Sequence, residues 1–243
     1  EIKEFARLNR SLKRLMEKDQ ESYRIQKEFT ENASHELQTP IAITRSKLDL
    51  LMQEELTERQ MNLISDLYDI NTRVGHLNRN LLLLAKIENA QYKEMEDIDP
   101  GHFIKVSLPM YEALQDGPRL SVFDNRTHPG IVRANPALLE CLLNNLIINA
   151  MRHTTTIGSE IKIIIGDCSL AVSNQGEGKA LDSQALFQRF RFGDTKKVGN
   201  GLGLSIVKAI CDYHKWSVQY SFESGFHVFT VLLKKINQKS LLV

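Results

Sequence analysis

The sequence predicts two domains: an α-helical hairpin that pairs with a second copy into a dimeric four-helix bundle, followed by an α+β domain with a mixed sheet. Residues 1–94 contain a single glycine and a single proline, which favours helix throughout this region. After Asp99-Pro100 the pattern changes to short β-rich runs that are separated by turn residues and helical segments. The length of 243 residues leaves room for two ordinary domains.

The hairpin is predicted from apolar residues that recur at steps of three and four, the pattern of a coiled coil or helix bundle. Glu54-Glu55-Leu56 separates the two helices, and Thr57 with Gln60 forms a capping-box pattern that opens the second. We expect the hairpin to cover roughly 15–93. Two helices alone leave much of this apolar seam uncovered, so we expect a homodimer. The seam consists of Met61, Ile64, Leu67, Asn71, Val74, Leu77, Leu81 and Leu84.

The second domain is predicted from alternating strand and helix patterns. Helices are expected at about 101–114, 136–152 and 203–214, the second opened by Asn135 as N-cap and Pro136 at the first helical position. Two of the strands read as a hairpin across Gly166-Asp167. We expect a mixed sheet that is covered on one face by helices. The β-rich runs are Leu120–Phe123, Ile131–Ala134, Glu160–Gly166, Leu170–Ser173, Val218–Phe222 and Phe226–Leu233.

Composition excludes several classes of protein. Lysine and arginine number 31 against 30 acidic residues, so nucleic acid is not expected as a partner through charge alone. The three cysteines form no CxxC pair, which argues against a zinc site or a disulfide framework. No stretch approaches the roughly 18 apolar residues that a membrane span requires. The first residue is Glu1 rather than Met, and we expect any membrane anchor to lie upstream of this piece.

The segment Ser34–Pro40 places His35 and Glu36 on a predicted helix just before a proline. Pro40 cannot donate a backbone hydrogen bond to the Glu36 carbonyl, so we expect the helix to bend there. A zinc-binding HExxH motif is excluded because the second histidine would fall at Thr39. Taken alone, a histidine on a bundle helix is more often structural or merely exposed.

Three further motifs follow in the second domain. Asn145 and Asn149 share a helix face, where a ligand or two solvent-facing amides are alternative explanations. Asn174–Gly178 follows a strand and Gly199–Leu204 opens a helix, as glycine loops that approach phosphates do. Neither loop is a Walker A or Rossmann fingerprint, and each alone is about as often a simple turn.

In this order the motifs resemble those of the sensor histidine kinases of two-component signalling, over about residues 20–234. The resemblance implies a dimerisation and phosphoacceptor (DHp) domain joined to an ATP-binding domain of the Bergerat fold. It implies a linker helix at 1–19, the DHp domain at 20–95, the catalytic domain at 96–236 and a tail at 237–243. The motifs that match are the H-box (Ser34–Pro40), the N-box (Asn145–His153), the G1 box (Asn174–Gly178), the F-box (Phe187–Phe190) and the G2 box (Gly199–Leu204).

By this resemblance His35 is the phosphoacceptor, Glu36 holds its ring, and Thr39 positions a water for dephosphorylation of a regulator. Asn149 binds Mg²⁺, and its amide oxygen is a hard ligand suited to that ion. Asn174 takes the place of the family's adenine-binding aspartate, which predicts a contact without charge assistance. The nucleotide-binding residues implied for ATP are Asn145, Asn149, Arg152, His153, Asn174, Gly176, Gly178, Arg191, Gly199, Gly201, Leu202 and Gly203.

The expected activity is ATP-dependent phosphorylation of His35, then transfer to an aspartate in the receiver domain of a response regulator, and dephosphorylation of that regulator. The resemblance implies the soluble cytoplasmic part of a bacterial sensor that is anchored in the inner membrane upstream. A Bergerat-fold ATPase is disfavoured because Asn145 stands where such enzymes carry a water-activating glutamate, and an amide is no general base. A catalytically weak or inactive dimeric scaffold remains the alternative from another class.

Overall fold

The chain forms two compact units, Glu1–Gln91 and Tyr92–Val243. The computed structural model describes residues 2–113, 118–128, 130–154, 159–176, 180–183, 185–190 and 201–234, without the side chains of residues 2–4, 6, 8, 10, 31 and 34. The tail expected at 237–243 lies outside the described residues, as do Gly178, Arg191 and Gly199. No described helix is long and apolar enough to cross a bilayer.

The first unit is the predicted helical hairpin, built from α1 (Ile2–Leu51) and α2 (Glu58–Glu88). The capping box is confirmed: the Gln60 backbone N–H donates to the Thr57 hydroxyl, and the Thr57 backbone N–H donates to Gln60 Oε1 at 2.9 Å. Helix α1 begins near the start of the chain and runs without interruption through Pro40. The residues of the linker helix expected at 1–19 and the first helix of the hairpin thus form one continuous helix, since residues 2–14 contain neither glycine nor proline to stop it.

Side chains of the seam pack between the two helices in part. Leu48, Ile64 and Leu84 are buried, and Asn71 finds a partner in α1, because its Nδ2 donates to the Ile41 carbonyl at 3.1 Å. Other apolar residues of the hairpin remain exposed in a single copy, as expected for helices that need further partners. These exposed residues include Ile43, Leu50, Leu67, Ile70 and Val74.

The second unit combines helices with a mixed sheet. The order of its five strands is β2-β4-β5-β7-β6, with β2 parallel to β4 and all other pairs antiparallel. Strands β1 and β3 form a separate antiparallel pair, and β1 was not predicted because its three residues, Glu96-Asp97-Ile98, carry no apolar run. The elements are β1 (Glu96–Ile98), α3 (Pro100–Glu112), β2 (Arg119–Asp124), β3 (Val132–Ala134), α4 (Pro136–His153), β4 (Glu160–Gly166), β5 (Ser169–Gln175), α5 (Gly203–Tyr213), β6 (Ser217–Glu223) and β7 (Phe226–Leu232).

Helix α4 begins as the sequence predicts. The Asn135 side chain accepts a hydrogen bond from the Leu138 N–H at 3.0 Å, and Pro136 occupies the first helical position. Seven residues of α4 are buried, and this helix packs against β5 and α5. The helix therefore forms the centre of the core, and it holds the N-box against the sheet.

Residues that are paired across β4, β5, β7 and β6 point to the same face of the sheet and form rows. Two rows are apolar apart from the Tyr220 hydroxyl. The third, at the end of the face, contains two polar side chains and is called the end row below. The apolar rows are Ile163–Val172–Phe229–Tyr220 and Ile165–Leu170–Val231–Val218, and the end row is Ile161–Asn174–His227–Phe222.

Candidate functional site

The H-box lies on the surface of α1. His35, Glu36 and Thr39 are all exposed, so the imidazole is accessible to a reactant. The Thr39 hydroxyl donates to the His35 carbonyl at 2.9 Å. This bond is the usual back-bond of a helical threonine, and it leaves the lone pairs of the hydroxyl oxygen available to an incoming water.

The N-box asparagines lie on α4, half-buried, one turn apart. Asn145 Nδ2 donates to the Cys141 carbonyl at 2.8 Å and lies 3.4 Å from the Cys141 sulfur. This anchoring fixes the amide, so that Oδ1 faces α5. A Cβ atom on Gly203 would stand only 3.1 Å from that oxygen, which explains a glycine at the start of α5. The structure thus brings the N-box and the G2 box into contact.

The start of α5 has the properties of a phosphate-binding helix end. Leu202 is buried as its N-cap residue, and no side chain among the described residues caps the helix. Gly203 begins the helix, and a first turn without a side-chain cap presents backbone N–H groups and the positive end of the helix dipole to an anion. Gly201, just before it, has a φ of +64°, a conformation that favours glycine.

The F-box and the G2 box are joined by the backbone. The Phe190 N–H donates to the Gly201 carbonyl at 3.1 Å. Phe190 has a positive φ of 58°, which is uncommon for a residue with a side chain. The hydrogen bond therefore holds the last residue of the F-box next to Gly201 of the G2 box.

Arg152 and His153 occupy the last turn of α4, and both side chains are exposed. Arg152 follows Asn149 by three residues, so the two side chains lie on neighbouring parts of one helix face. An exposed guanidinium beside a half-buried amide can reach the phosphates of a nucleotide that is held by the helix.

In the described part of the G1 box, Asn174 belongs to the end row of the sheet. Asn174 is 1% exposed, and its Nδ2 lies 3.4 Å from the Gln175 carbonyl, which makes a long hydrogen bond. His227 lies directly opposite Asn174 on β7. Burial lowers the pKa of His227, which favours the neutral ring.

His227 and Tyr220 were missed by the sequence analysis. Neither belongs to a motif, and their position beside Asn174 depends on strand pairing across more than 40 residues. Alternation of polar and apolar residues in β7 could have placed His227 on the inner face, but it could not have named its neighbour.

The atoms of the candidate site that could bind a magnesium ion are amide oxygens rather than a cluster of carboxylates. Within the described ranges no group of three or more histidine, cysteine or acidic residues could hold a metal. Asn149, half-buried on the α4 face that it shares with Asn145, offers a hard oxygen ligand of the type that Mg²⁺ accepts alongside phosphates and water. Cys141 is not a competing ligand, because burial raises the pKa of its thiol to about 11.

Two protein-family models match the chain. Residues 25–90 match the His Kinase A (phospho-acceptor) domain, which covers the second half of α1 and all of α2. Residues 134–237 match the histidine kinase-, DNA gyrase B- and HSP90-like ATPase family, which implies ATP binding. The first match ends at residue 90, next to the last residue of the first compact unit, and the second match lies entirely within the second unit.

Similar curated proteins are bacterial sensors. The heme sensor protein HssS of Staphylococcus saprophyticus is 27% identical over 215 residues, which is 86% of this chain and 46% of the relative. HssS of Staphylococcus aureus strain Newman is 29% identical over 212 residues, which is 84% of this chain and 46% of the relative. The chain therefore spans about half the length of these curated relatives.

Two solved structures align with most of the chain. The Acinetobacter baumannii histidine kinase AdeS aligns with a TM-score of 0.57 at 24% identity, over 84% of this chain and 98% of that one. Full-length ShkA in complex with AMPPNP aligns with a TM-score of 0.64 at 22% identity, over 86% of this chain and 47% of that one. These likenesses establish the fold of the helical hairpin followed by the ATP-binding domain.

Proposed function

We propose that this chain, which belongs to the sensor histidine kinases of two-component signalling, uses Mg·ATP to phosphorylate His35 and passes the phosphoryl group to an aspartate of a response regulator. Family membership follows from the two domain matches over residues 25–90 and 134–237. The observation that carries the proposal is the contact between Asn145 and Gly203. It unites the N-box with the uncapped start of α5 into one phosphate-binding surface.

The chemistry assigned to His35 is nucleophilic attack. Nε2 of the neutral imidazole forms a bond to the γ-phosphorus, the bond from that phosphorus to the bridging oxygen breaks, and ADP leaves. The exposed carboxylate of Glu36 accepts the Nδ1 proton in a hydrogen bond and stabilises the ring as its charge rises. Exposure of His35 lets both the nucleotide and a receiver domain reach it.

The nucleotide is held by residues with separate tasks. Asn149 supplies its amide oxygen for Mg²⁺, which neutralises phosphate charge when bound. Arg152 and the backbone N–H groups at the start of α5 bind phosphate oxygens, and His153 lies beside them at the end of α4. Asn174 accepts a hydrogen bond from the adenine amino group through its amide oxygen. Gly178, Arg191 and Gly199 are assigned by their motifs alone.

A homodimer follows from the exposed apolar face of the hairpin. Leu67, Ile70 and Val74 are 52%, 58% and 46% exposed along α2, and Ile43 and Leu50 on α1 are more than half exposed. A second copy that presents the same face would cover both stripes and complete a four-helix bundle. The pairing also presents His35 on the surface of a rigid bundle, where a receiver domain can dock.

Dephosphorylation of the regulator is assigned to Thr39. Its hydroxyl proton is donated to the His35 carbonyl, so the oxygen can accept a hydrogen bond from a water and orient that water toward a phospho-aspartate. Because a hydroxyl is a poor base at neutral pH, its role is to position the water.

The test is transfer of the labelled γ-phosphate of ATP to the chain in the presence of Mg²⁺. The parent should acquire an acid-labile, base-stable label, and His35→Gln should lose it while still binding ATP. His76→Gln is the matched control, since His76 is also an exposed histidine of the hairpin, and it should keep the label. A label that persists in His35→Gln overturns the assignment of the phosphoacceptor.

A further inference from the structure

A hydrogen-bonded chain that none of the kinase motifs includes leads to His227 of the end row from Tyr220 in the neighbouring row. The Leu181 backbone N–H donates to the Tyr220 hydroxyl at 3.1 Å, and that hydroxyl lies 2.7 Å from His227 Nδ1. The phenol oxygen already accepts one bond, so its own proton is directed to Nδ1. His227 is then the neutral tautomer with its proton on Nε2, in agreement with the lowering of its pKa by burial.

The other edge of the His227 ring lies against the G1 turn. A Cβ atom on Gly176 would stand 2.5 Å from His227 Nε2 and closer still to Cδ2, a separation that real side chains do not reach. Gly176 is therefore required by close approach of the imidazole. The ring also contacts Phe222, at 4.8 Å between centroids, and stacks on Tyr220 at 5.9 Å. A rotation of His227 would move the backbone at Gly176.

Asn174 depends on the same ring. It lies directly opposite His227 in the strand pairing and two residues before Gly176. Its amide is 1% exposed, and its contact with the Gln175 carbonyl is long, so hydrogen bonding within the described residues does little to hold its orientation. Because Asn174 is buried and paired directly with His227, we expect packing against this residue to help hold the amide.

We propose that Tyr220 and His227 are positioning residues for recognition of the base: the Tyr220 hydroxyl fixes the His227 ring, and the ring fixes Gly176 and the Asn174 amide that meets adenine. The inference rests on the proposed function, because it concerns the same nucleotide site. It adds a specificity-determining pair from β6 and β7 to a site whose motif residues come from α4, β5 and the start of α5.

The experiment compares two nucleotides by titration calorimetry with the full chain and Mg²⁺. One is ATP. The other is purine riboside triphosphate, which has the same phosphates but lacks the 6-amino group that would donate a hydrogen bond to Asn174. Tyr220→Phe removes the hydroxyl and keeps the ring. It should weaken ATP binding by about two- to tenfold, the range expected for one hydrogen bond. Binding of purine riboside triphosphate should change by less than about twofold, so the preference for ATP should shrink.

Two further variants sharpen the test. Tyr213→Phe is the matched control, because its hydroxyl also makes one hydrogen bond, to the Tyr92 carbonyl, within the same unit, and it should leave both affinities unchanged. His227→Leu should lower the preference for ATP at least as much as Tyr220→Phe. His227→Asn, which keeps an acceptor near the Nδ1 position, should recover part of it.

The outcomes separate the inference from the proposed function. Equal weakening of both nucleotides in Tyr220→Phe would show that the pair supports only the fold, and unchanged affinities would show that it does nothing for the base. Either result overturns the inference while ATP binding by the parent stands. A parent chain that binds neither nucleotide contradicts the proposed function itself, and the inference falls with it.

Discussion

His214 joins the two helices that carry the phosphate-binding groups, and we predict that its loss destabilises the second unit. It follows the last residue of α5 and is buried. Nδ1 donates to the Ile210 carbonyl at 2.8 Å, and Nε2 accepts from the Asn135 backbone N–H at 3.1 Å. The ring stacks on Trp216 with 4.4 Å between centroids. Both nitrogens of a neutral imidazole are therefore used.

The loss of stability expected for His214→Leu follows mainly from the backbone N–H that the substitution leaves without an acceptor. The N–H of Asn135, a residue that is 5% exposed, loses its acceptor, and an unsatisfied buried donor costs about 1–3 kcal/mol. The change of shape beside Trp216 adds up to about 1.5 kcal/mol. The sum is about 1–4.5 kcal/mol, or roughly 2–18 °C in Tm for a unit of this size. His214→Gln, which keeps an acceptor, should lose less.

The contribution of His214 also depends on pH. Burial lowers its pKa in the folded state, and the hydrogen bond to Ile210 only partly opposes this shift. Because the folded-state pKa lies below the unfolded value of about 6.5, the stabilisation is fully present above that value. It is lost as the pH falls through the folded-state pKa, since the second proton would meet the Asn135 N–H. The parent should approach the stability of His214→Leu at low pH.

The assay is thermal unfolding at several values between pH 8 and pH 5, followed by the fluorescence of Trp216, the one tryptophan in the chain. His227, whose pKa burial also lowers, titrates in both proteins, so its effect cancels in the difference between parent and variant. A Tm for His214→Leu within 2 °C of the parent at pH 8 would refute the stabilising role of His214. A difference that stays constant down to pH 5 would refute the protonation argument.

Two predictions concern the kinase site. Asn149→Ala should lose most of its Mg²⁺-dependent ATP affinity without unfolding, because it removes the oxygen ligand while the Asn145 anchor to Cys141 remains; calorimetry with and without Mg²⁺ checks this, and unchanged affinity would contradict the role. Thr39→Ala should still be phosphorylated at His35 but dephosphorylate its regulator at least about tenfold more slowly, as expected for loss of a water-positioning group; an unchanged rate would leave Thr39 with only its back-bond.

Local sequence signals predicted the elements whose causes are local. The capping box at Thr57 and the Asn135-Pro136 start of α4 each depend on residues within four positions, and the structure has both. Strand β1 was missed because it exists only through its pairing with β3, about 35 residues away. Asn71 was noticed as a polar residue in the seam, but its partner, the Ile41 carbonyl, could be found only once the hairpin had closed.

The same distinction between local and long-range causes applies to the candidate site. Residues that would meet a nucleotide are constrained in chemical type, and the resemblance assigns Asn145, Asn149 and Gly203 to that role from order and spacing. Residues that hold them in place are constrained only by shape and by one or two hydrogen bonds, so they leave no pattern in the sequence. His214 and His227 are of this second kind: burial lowers the pKa of both, and in the proposal each holds one end of the site, His214 the helices assigned to the phosphates and His227 the part of the G1 box assigned to the base. The two ends are therefore separable, and damage at His214 should appear first as lost stability, whereas damage at His227 should appear first as lost discrimination between bases.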